Sequence, residues 1–271
     1  MSVAIAIVVA IAALVLVGWL GLQVLPAPFP EYPEASRSIE TTTLPAGLPA
    51  PVEQWLRGVY GDSVPLVGSV VITGRGRIAP FGVWFPARFR FTHDAGKGYR
   101  HYIEATWFGL PFLKVNERYL EGSSLFEMPF GTESGPKVEQ AANLGMWAEL
   151  SSSAPSVFVT DTRVHWLPVD ATTAILDVPL GGTGRDRMTA RFDPTTGELL
   201  SLEGLRYRAS SSTAKTLWTA APVPGETVGP WKLAARGQAK WADMAQPWAF
   251  FDTEDLRYGV DVSAYLRARG I

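Results

Sequence analysis

The stretch LGMWAELSSSAPSVF (residues 144–158) combines a carboxylate with a run of hydroxyl groups. Glu149 precedes Ser151–Ser153, so a base and a nucleophile lie close together in the sequence. A catalytic serine also needs an oxyanion hole, and the G-x-S-x-G pattern is absent here. Serines before a proline are typical of a helix end, because their hydroxyls bond nearby backbone and Pro155 cannot continue the helix. We therefore interpret this stretch as a helix end, with Glu149 solvated, paired with an arginine or beside an aromatic pocket.

Other chemistry-bearing patterns are weaker. Ser212–Lys215 matches S-x-x-K but lacks the companion S-D-N and K-T-G motifs. Gly181–Gly184 is glycine-rich without the phosphate-binding pattern, which predicts a turn. The histidines, His93, His101 and His165, show neither helical nor strand spacing, so a metal site would need carboxylates from distant strands. The sequence therefore predicts no catalytic residue, no metal site and no cofactor.

Aromatic residues remain as the feature with functional potential: the chain has 10 Trp, 13 Phe and 8 Tyr. One interpretation is an ordinary hydrophobic core. The other is a concave apolar pocket for a lipid-like ligand. The residues that we predict as candidates for lining such a pocket are Trp84, Phe89, Phe91, Trp107, Phe112, Trp147, Glu149 and Trp166.

Composition excludes several classes of function. Lys and Arg total 24 against 26 Asp and Glu, so the chain has no basic excess that would attract nucleic acid. Cysteine is absent, which excludes disulfides, thiolate metal sites, a cysteine nucleophile and a lipidated cysteine.

The N-terminal segment is long and apolar. Residues 3–24 carry no charge, and as a helix they would span about 33 Å, enough to cross a bilayer core. A cleaved signal peptide is the alternative, but no Lys or Arg precedes Arg37, and Ala27 is followed by Pro28 at the best cleavage position. We therefore predict a single-pass membrane anchor over residues 1–25, with Trp19 near one interface.

The predicted anchor indicates how the remainder of the chain is organised. The N-terminal side has only the terminal amine as a positive charge, whereas Glu31 and Glu34 follow the anchor, so the positive-inside rule favours a cell-membrane protein with an extracytoplasmic domain. Residues 26–47 are rich in proline and predict a stiff, extended linker that does not pack. Residues 48–271 follow as a single β-rich globular domain.

Periodicity within this domain predicts an α+β fold. Helical spacing covers residues 51–60 and 138–150, and residues 264–269 predict a short final helix. The apolar side of helix 138–150 would cover the aromatic face of a mostly antiparallel sheet. The predicted strands are residues 69–78, 83–92, 99–108, 112–121, 122–130, 163–168, 172–180, 187–192, 198–207, 217–219, 231–241 and 248–252.

Short motifs in a fixed order resemble an uncharacterised bacterial family of membrane-anchored proteins, known as a domain of unknown function. They are LPAPVEQWLR (48–57), WFPA (84–87), MWAE (146–149), HWLPVD (165–170), MTARFD (188–193), GE (197–198), LRYR (205–208) and PW (230–231). The resemblance implies no known activity and no catalytic residues. Arg88 and Arg90 depart from the family pattern, so the lining of any shared pocket can differ here.

The order of elements also resembles periplasmic lipoprotein carriers, which implies a curved sheet wrapped over one or two helices. Three hypotheses follow. The first is a membrane-anchored, non-enzymatic domain that binds a lipid or another apolar ligand. The second is an accessory or assembly subunit of a membrane protein complex. The third is a hydrolase that uses Glu149 or a histidine.

Overall fold

The computed structural model describes residues 3–34, 36–80 and 82–269. The helices are α1 (Val3–Gly21), α2 (Ala50–Tyr60), α3 (Pro136–Ser153), α4 (Val157–Thr160) and α5 (Ser263–Arg267). The strands before α3 are β1 (Thr41–Thr43), β2 (Ser63–Pro65), β3 (Ser69–Ile78), β4 (Phe85–Asp94), β5 (Gly98–Trp107), β6 (Leu110–Leu120), β7 (Ser123–Met128) and β8 (Gly131–Ser134). The strands after α4 are β9 (His165–Asp170), β10 (Thr173–Leu180), β11 (Gly184–Phe192), β12 (Leu199–Arg206), β13 (Thr216–Val228), β14 (Leu233–Trp241) and β15 (Ala249–Tyr258).

Two antiparallel meanders form one large sheet. Among the described residues, a 13-stranded sheet has the order β8-β7-β6-β5-β4-β3-β15-β14-β13-β12-β11-β10-β9. The strands β3 to β8 and β9 to β15 each follow chain order, and the pairing of β3 with β15 joins the two halves. The strands β1 and β2 form a separate small sheet.

The long helix α3 connects the two outer edges of this sheet. It contacts β8 near one edge and β10 near the other, although these strands would lie roughly 50 Å apart in a flat sheet with a spacing of 4.7–4.9 Å. An 18-residue helix is only about 27 Å long. The sheet must therefore curve around α3, which confirms the α+β fold with a curved antiparallel sheet over helices.

The main hydrophobic core lies between the concave face of the sheet and the helices α2 and α3. Trp147, Leu144 and Leu150 of α3 are fully or almost fully buried in it. A second, smaller apolar cluster lies on the convex face, where Val71 and Leu266 contact Tyr32. Side chains alternate between the two faces along each strand, so on this part of the sheet both faces bury apolar side chains.

The proline-rich segment packs against the convex face, contrary to the expectation of a spacer that does not pack. Phe29 and Tyr32 are buried, and Arg88 donates a hydrogen bond to the Ala27 carbonyl. Residues 26–33 contain four prolines, which have no N–H, so this part of the segment has more backbone acceptors than donors and does not pair as a strand. The arginine side chains supply the missing donors. Further along the segment, β1 does pair with β2. The division of the chain at residues 25 and 47 stays a prediction.

Candidate functional site

Ionisable side chains meet on the concave face beneath α3. Cross-strand pairing sets His93 of β4 opposite Tyr99 of β5, and His101 of β5 opposite Glu117 of β6. Tyr99 and His101 are two residues apart on β5, and residues that are paired across neighbouring strands share a face. All four side chains therefore point to the same face of the sheet. Glu149, in the last turns of α3, reaches this face from the other side. We name His93, His101, Glu117 and Glu149 the histidine–glutamate cluster.

Both histidines contact the same carboxylate. His93 Nε2 lies 3.0 Å from Glu149 Oε2, and His101 Nδ1 lies 3.4 Å from Glu149 Oε1. His101 Nδ1 is also 3.6 Å from Glu117 Oε2. The His93 side chain is fully buried, whereas that of Glu149 keeps 18% of its exposure. The expectation that Glu149 is solvated or paired with an arginine is therefore wrong, because strand register brings two histidines to it instead.

The surroundings of the cluster change the acidity of two neighbouring groups. Burial alone would raise the pKa of the Glu117 carboxyl, but His101 and Arg206 outweigh burial, and the net pKa is lowered. The pKa of the Tyr99 hydroxyl is raised by burial, with the nearby Glu117 and Glu149 carboxylates adding to the effect. Glu117 is therefore ionised at neutral pH and Tyr99 is neutral.

The cluster has the components of acid–base chemistry but no nucleophile. The Ser151 hydroxyl donates to the Ala148 carbonyl and the Ser153 hydroxyl to the Glu149 carbonyl, so both are engaged by the helix. His93 Nδ1 and His101 Nε2 are buried without a hydrogen-bond partner. Within the described ranges, no group of three His, Cys, Asp or Glu side chains is arranged to hold a metal ion.

The predicted pocket residues divide between two regions, namely the main hydrophobic core with the adjoining histidine–glutamate cluster, and one end of the sheet. Phe89 and Phe91 are buried core residues that contact Phe251 from β15. Trp147 is buried under the sheet, and Trp166 is a partly buried residue that contacts Phe158, as Trp147 does.

Glu149 belongs to the histidine–glutamate cluster. Trp84, Trp107 and Phe112 lie at or beside one end of the sheet, where the β3–β4, β5–β6 and β14–β15 connections meet. We name this end the loop end. The structure therefore does not bring the predicted residues together as one pocket.

The loop end adjoins the C-terminal end of α1. The indole N–H of Trp107 donates to the Gly18 carbonyl at 3.0 Å, and the Phe108 backbone N–H donates to the Gly21 carbonyl at 2.9 Å. The Arg77 guanidinium donates to the Leu22 carbonyl at 3.2 Å. These donors satisfy carbonyls that a helix end leaves without intrahelical partners. The sequence alone gave no sign of these contacts.

A cleft of about 290 Å³ opens at the loop end and is lined by Arg77, Trp84, Gln246 and Phe250. The Trp84 and Phe250 rings are 5.5 Å apart and form its apolar wall. A second cavity of about 460 Å³ lies at the opposite end of the strands, beside Lys97, Glu121 and α5. Of the predicted pocket residues, only Trp84 lines either cavity. Arg77, Gln246 and Phe250 were not predicted, because Arg77 of β3 is far in the sequence from the β14–β15 connection, which holds Gln246, and from β15, which holds Phe250.

Solved structures that are similar to this chain include three from different bacteria. A LolA superfamily protein from Nitrosomonas europaea is 10% identical with a TM-score of 0.48, covering 82% of this chain and 99% of its own. A putative outer membrane lipoprotein-sorting protein domain from Vibrio parahaemolyticus is 12% identical with a TM-score of 0.41, over 74% and 89%. A DUF1329 family protein from Desulfovibrio piger is 13% identical with a TM-score of 0.41, over 74% and 90%.

No curated protein matches the chain. One family model matches residues 38–253, which is most of the chain and spans the resembling motifs. The chain belongs to this family, a family of unknown function (DUF6544).

Proposed function

We propose that this protein is a single-pass membrane protein whose extracytoplasmic domain binds an amphiphilic lipid without catalysis. The observation that carries the proposal is the cleft at the loop end. It combines an apolar wall, Trp84 and Phe250, with the cationic Arg77. It lies next to the end of α1, because Arg77 also contacts the Leu22 carbonyl.

The chemistry of the cleft suits a lipid with an anionic head group. A guanidinium has five N–H donors and binds phosphate or carboxylate oxygens in a forked geometry. In the part of the chain that the structure describes, no carboxylate forms an ion pair with Arg77. Its contact with Leu22 leaves other donors available. The Trp84 and Phe250 rings would contact the first part of an acyl chain.

Membrane anchoring is supported by the properties of α1. It has 19 residues, none charged, and is long and apolar enough to cross a membrane, although a signal sequence has the same properties. None of its spanning window is buried inside the protein. A free apolar helix of this length is costly to expose to water, which favours a bilayer as its surroundings.

Native mass spectrometry of the full-length protein tests the proposal. The protein is released gently from its own membrane and, separately, from nanodiscs of phosphatidylglycerol or phosphatidylcholine. We expect a lipid adduct that is enriched in phosphatidylglycerol, reduced in Arg77→Gln and in Trp84→Ala, and retained in the control Arg236→Gln, which alters another exposed arginine. Lipid binding that is equal in all variants would contradict the proposal. A stoichiometric protein partner without lipid would favour the accessory-subunit hypothesis.

The histidine–glutamate cluster favours a second candidate function, a hydrolase. A carboxylate between two imidazoles can accept, hold and return protons. The residual exposure of Glu149 gives this carboxylate some contact with solvent. The test is turnover of a panel of ester and phosphoester substrates. A measured turnover that is lost in Glu149→Gln, with the fold retained, would support hydrolysis over lipid binding.

A further inference from the structure

We propose that the loop end of the domain lies on the bilayer surface and inserts its apolar side chains among the lipid head groups. This inference rests on the proposed function, because it requires α1 to cross the membrane. It adds a defined docking surface, a fixed orientation of the domain and one partner, the lipid bilayer itself.

Large apolar side chains are exposed at the loop end. They belong to the β5–β6 hairpin and the β3–β4 connection, and they are Val83, Trp107, Phe108, Leu110 and Phe112. Leu110 is 71% exposed. Single exposed apolar residues are ordinary on protein surfaces, but a group of them at one end marks an interaction surface. Tryptophan suits the membrane interface because its ring is apolar and its N–H is polar. Exposed phenylalanine and leucine side chains are typical of apolar surfaces that insert at the boundary between head groups and acyl chains.

The position of α1 identifies the bilayer as the partner. The two helix-end contacts, Trp107 with Gly18 and Phe108 with Gly21, hold the exposed hairpin against the last turn of α1. Trp19 lies in the same turn and is the residue expected at the interface. A hairpin fixed at this height along a membrane-spanning helix meets the head-group region.

Close packing supports this contact. A side chain at Gly21 would overlap the Trp107 indole ring, whereas nothing lies within 4 Å of a side chain at Gly18. The absence of a side chain at Gly21 therefore lets the indole lie directly on the helix. The two glycines differ in this respect although both belong to α1.

A second attachment fixes the orientation of the domain. The chain leaves α1 and folds back over β4 on the convex face, where the Phe29 ring lies 4.3 Å from the guanidinium carbon of Arg88. Arg90 donates to the Pro30 carbonyl, and Tyr32 donates to the Asp261 carbonyl at 2.8 Å. With contacts at the hairpin and along this segment, the domain is not free to rotate on a flexible tether. The loop end consequently keeps facing the bilayer.

The absence of cysteine allows a direct test with single labels. Leu110→Cys places an environment-sensitive fluorophore at the hairpin, and Ser123→Cys places the same label at the opposite end of β6, about 30–35 Å away. Both full-length variants are reconstituted into phosphatidylglycerol–phosphatidylcholine vesicles. We expect blue-shifted emission and quenching by lipids brominated near the head group at Leu110→Cys, and water-like emission without quenching at Ser123→Cys.

The outcomes separate the docking inference from the proposed function. If α1 is cleaved, shown by intact mass, or if the protein leaves the vesicles in alkaline carbonate, membrane anchoring fails and docking fails with it. If the protein stays anchored but the Leu110→Cys label remains as water-exposed as the control, docking alone is overturned. Adding Gly21→Val should reduce the quenching at Leu110→Cys at least twofold, while Gly18→Val should leave it unchanged. Equal effects would overturn the role of the helix contact.

Discussion

Replacing Glu149 with glutamine removes the charge of the carboxylate that joins α3 to two strands. The His93 side chain is fully buried and 3.0 Å from this carboxylate, so the substitution weakens a buried, charge-assisted contact. Hydrogen bonds to charged groups contribute about 1.5–3 kcal/mol each. The amide keeps one acceptor oxygen but turns an N–H₂ group towards the other imidazole. We expect a loss of about 2 kcal/mol in the free energy of unfolding.

Thermal unfolding in detergent, followed by near-ultraviolet circular dichroism, measures this loss. For a chain of this size, a 2 kcal/mol loss lowers Tm by roughly 4–8 °C. The control is Glu203→Gln, which makes the same chemical change in an exposed ion pair with Arg191, where such pairs contribute about 0–1 kcal/mol. If both variants unfold at the wild-type temperature, the cluster does not hold α3 on the sheet and the reasoning is refuted.

Four further predictions concern Glu117 of the cluster and three other positions, Phe29, Gly76 and Gly58. The pKa of Glu117 is lowered in the folded state, so its contribution to stability is complete above its ordinary pKa of 4.5 and is lost as pH falls through the folded value. Unfolding of wild type and of Glu117→Gln is therefore measured at decreasing pH. The difference between their free energies of unfolding should shrink below pH 4.5. Phe29→Ala should free the proline-rich segment and speed its cleavage by protease, whereas Phe130→Ala, at an exposed turn, should not. Gly76→Ala should destabilise the domain, because the methyl group would overlap the Phe250 carbonyl. Gly58→Ala, with open space in α2, should stabilise it by about 0.5–1 kcal/mol in urea unfolding.

Local elements followed from the sequence because their causes are local. The spacing of Val52, Trp55 and Leu56 after Pro51 predicted α2, and these residues are buried in the structure. The glycine-punctuated, β-branched run predicted β3 with the bounds that the structure has. The strand β13 was predicted at only three residues and has 13. Its prolines and glycine break the strand pattern in the sequence, although β13 pairs with β12 and β14 within the sheet.

The histidine–glutamate cluster could not be predicted because it depends on register. His93 and Glu149 are 56 residues apart, and local spacing says nothing about such a pair. A partial signal existed: Phe89, Phe91 and His93 share one parity along β4, so alternation predicts that they share a face. The sequence predicted this strand only as far as residue 92, whereas β4 continues to Asp94, so His93 was left out of the pattern. The partner strand's register was still needed to set His101 beside it.

Accessibility decides which of the two sites suits a lipid. In the cluster, His93 is fully buried, and both ends of the Glu149 carboxylate face histidines. A ligand with an acyl chain could enter there only if α3, with Trp147 buried beneath it, left the sheet. Moving a helix with that much buried apolar surface would cost much of the stability of the domain. The cleft beside Arg77 requires no such movement, because it already opens at the end of the sheet that adjoins α1.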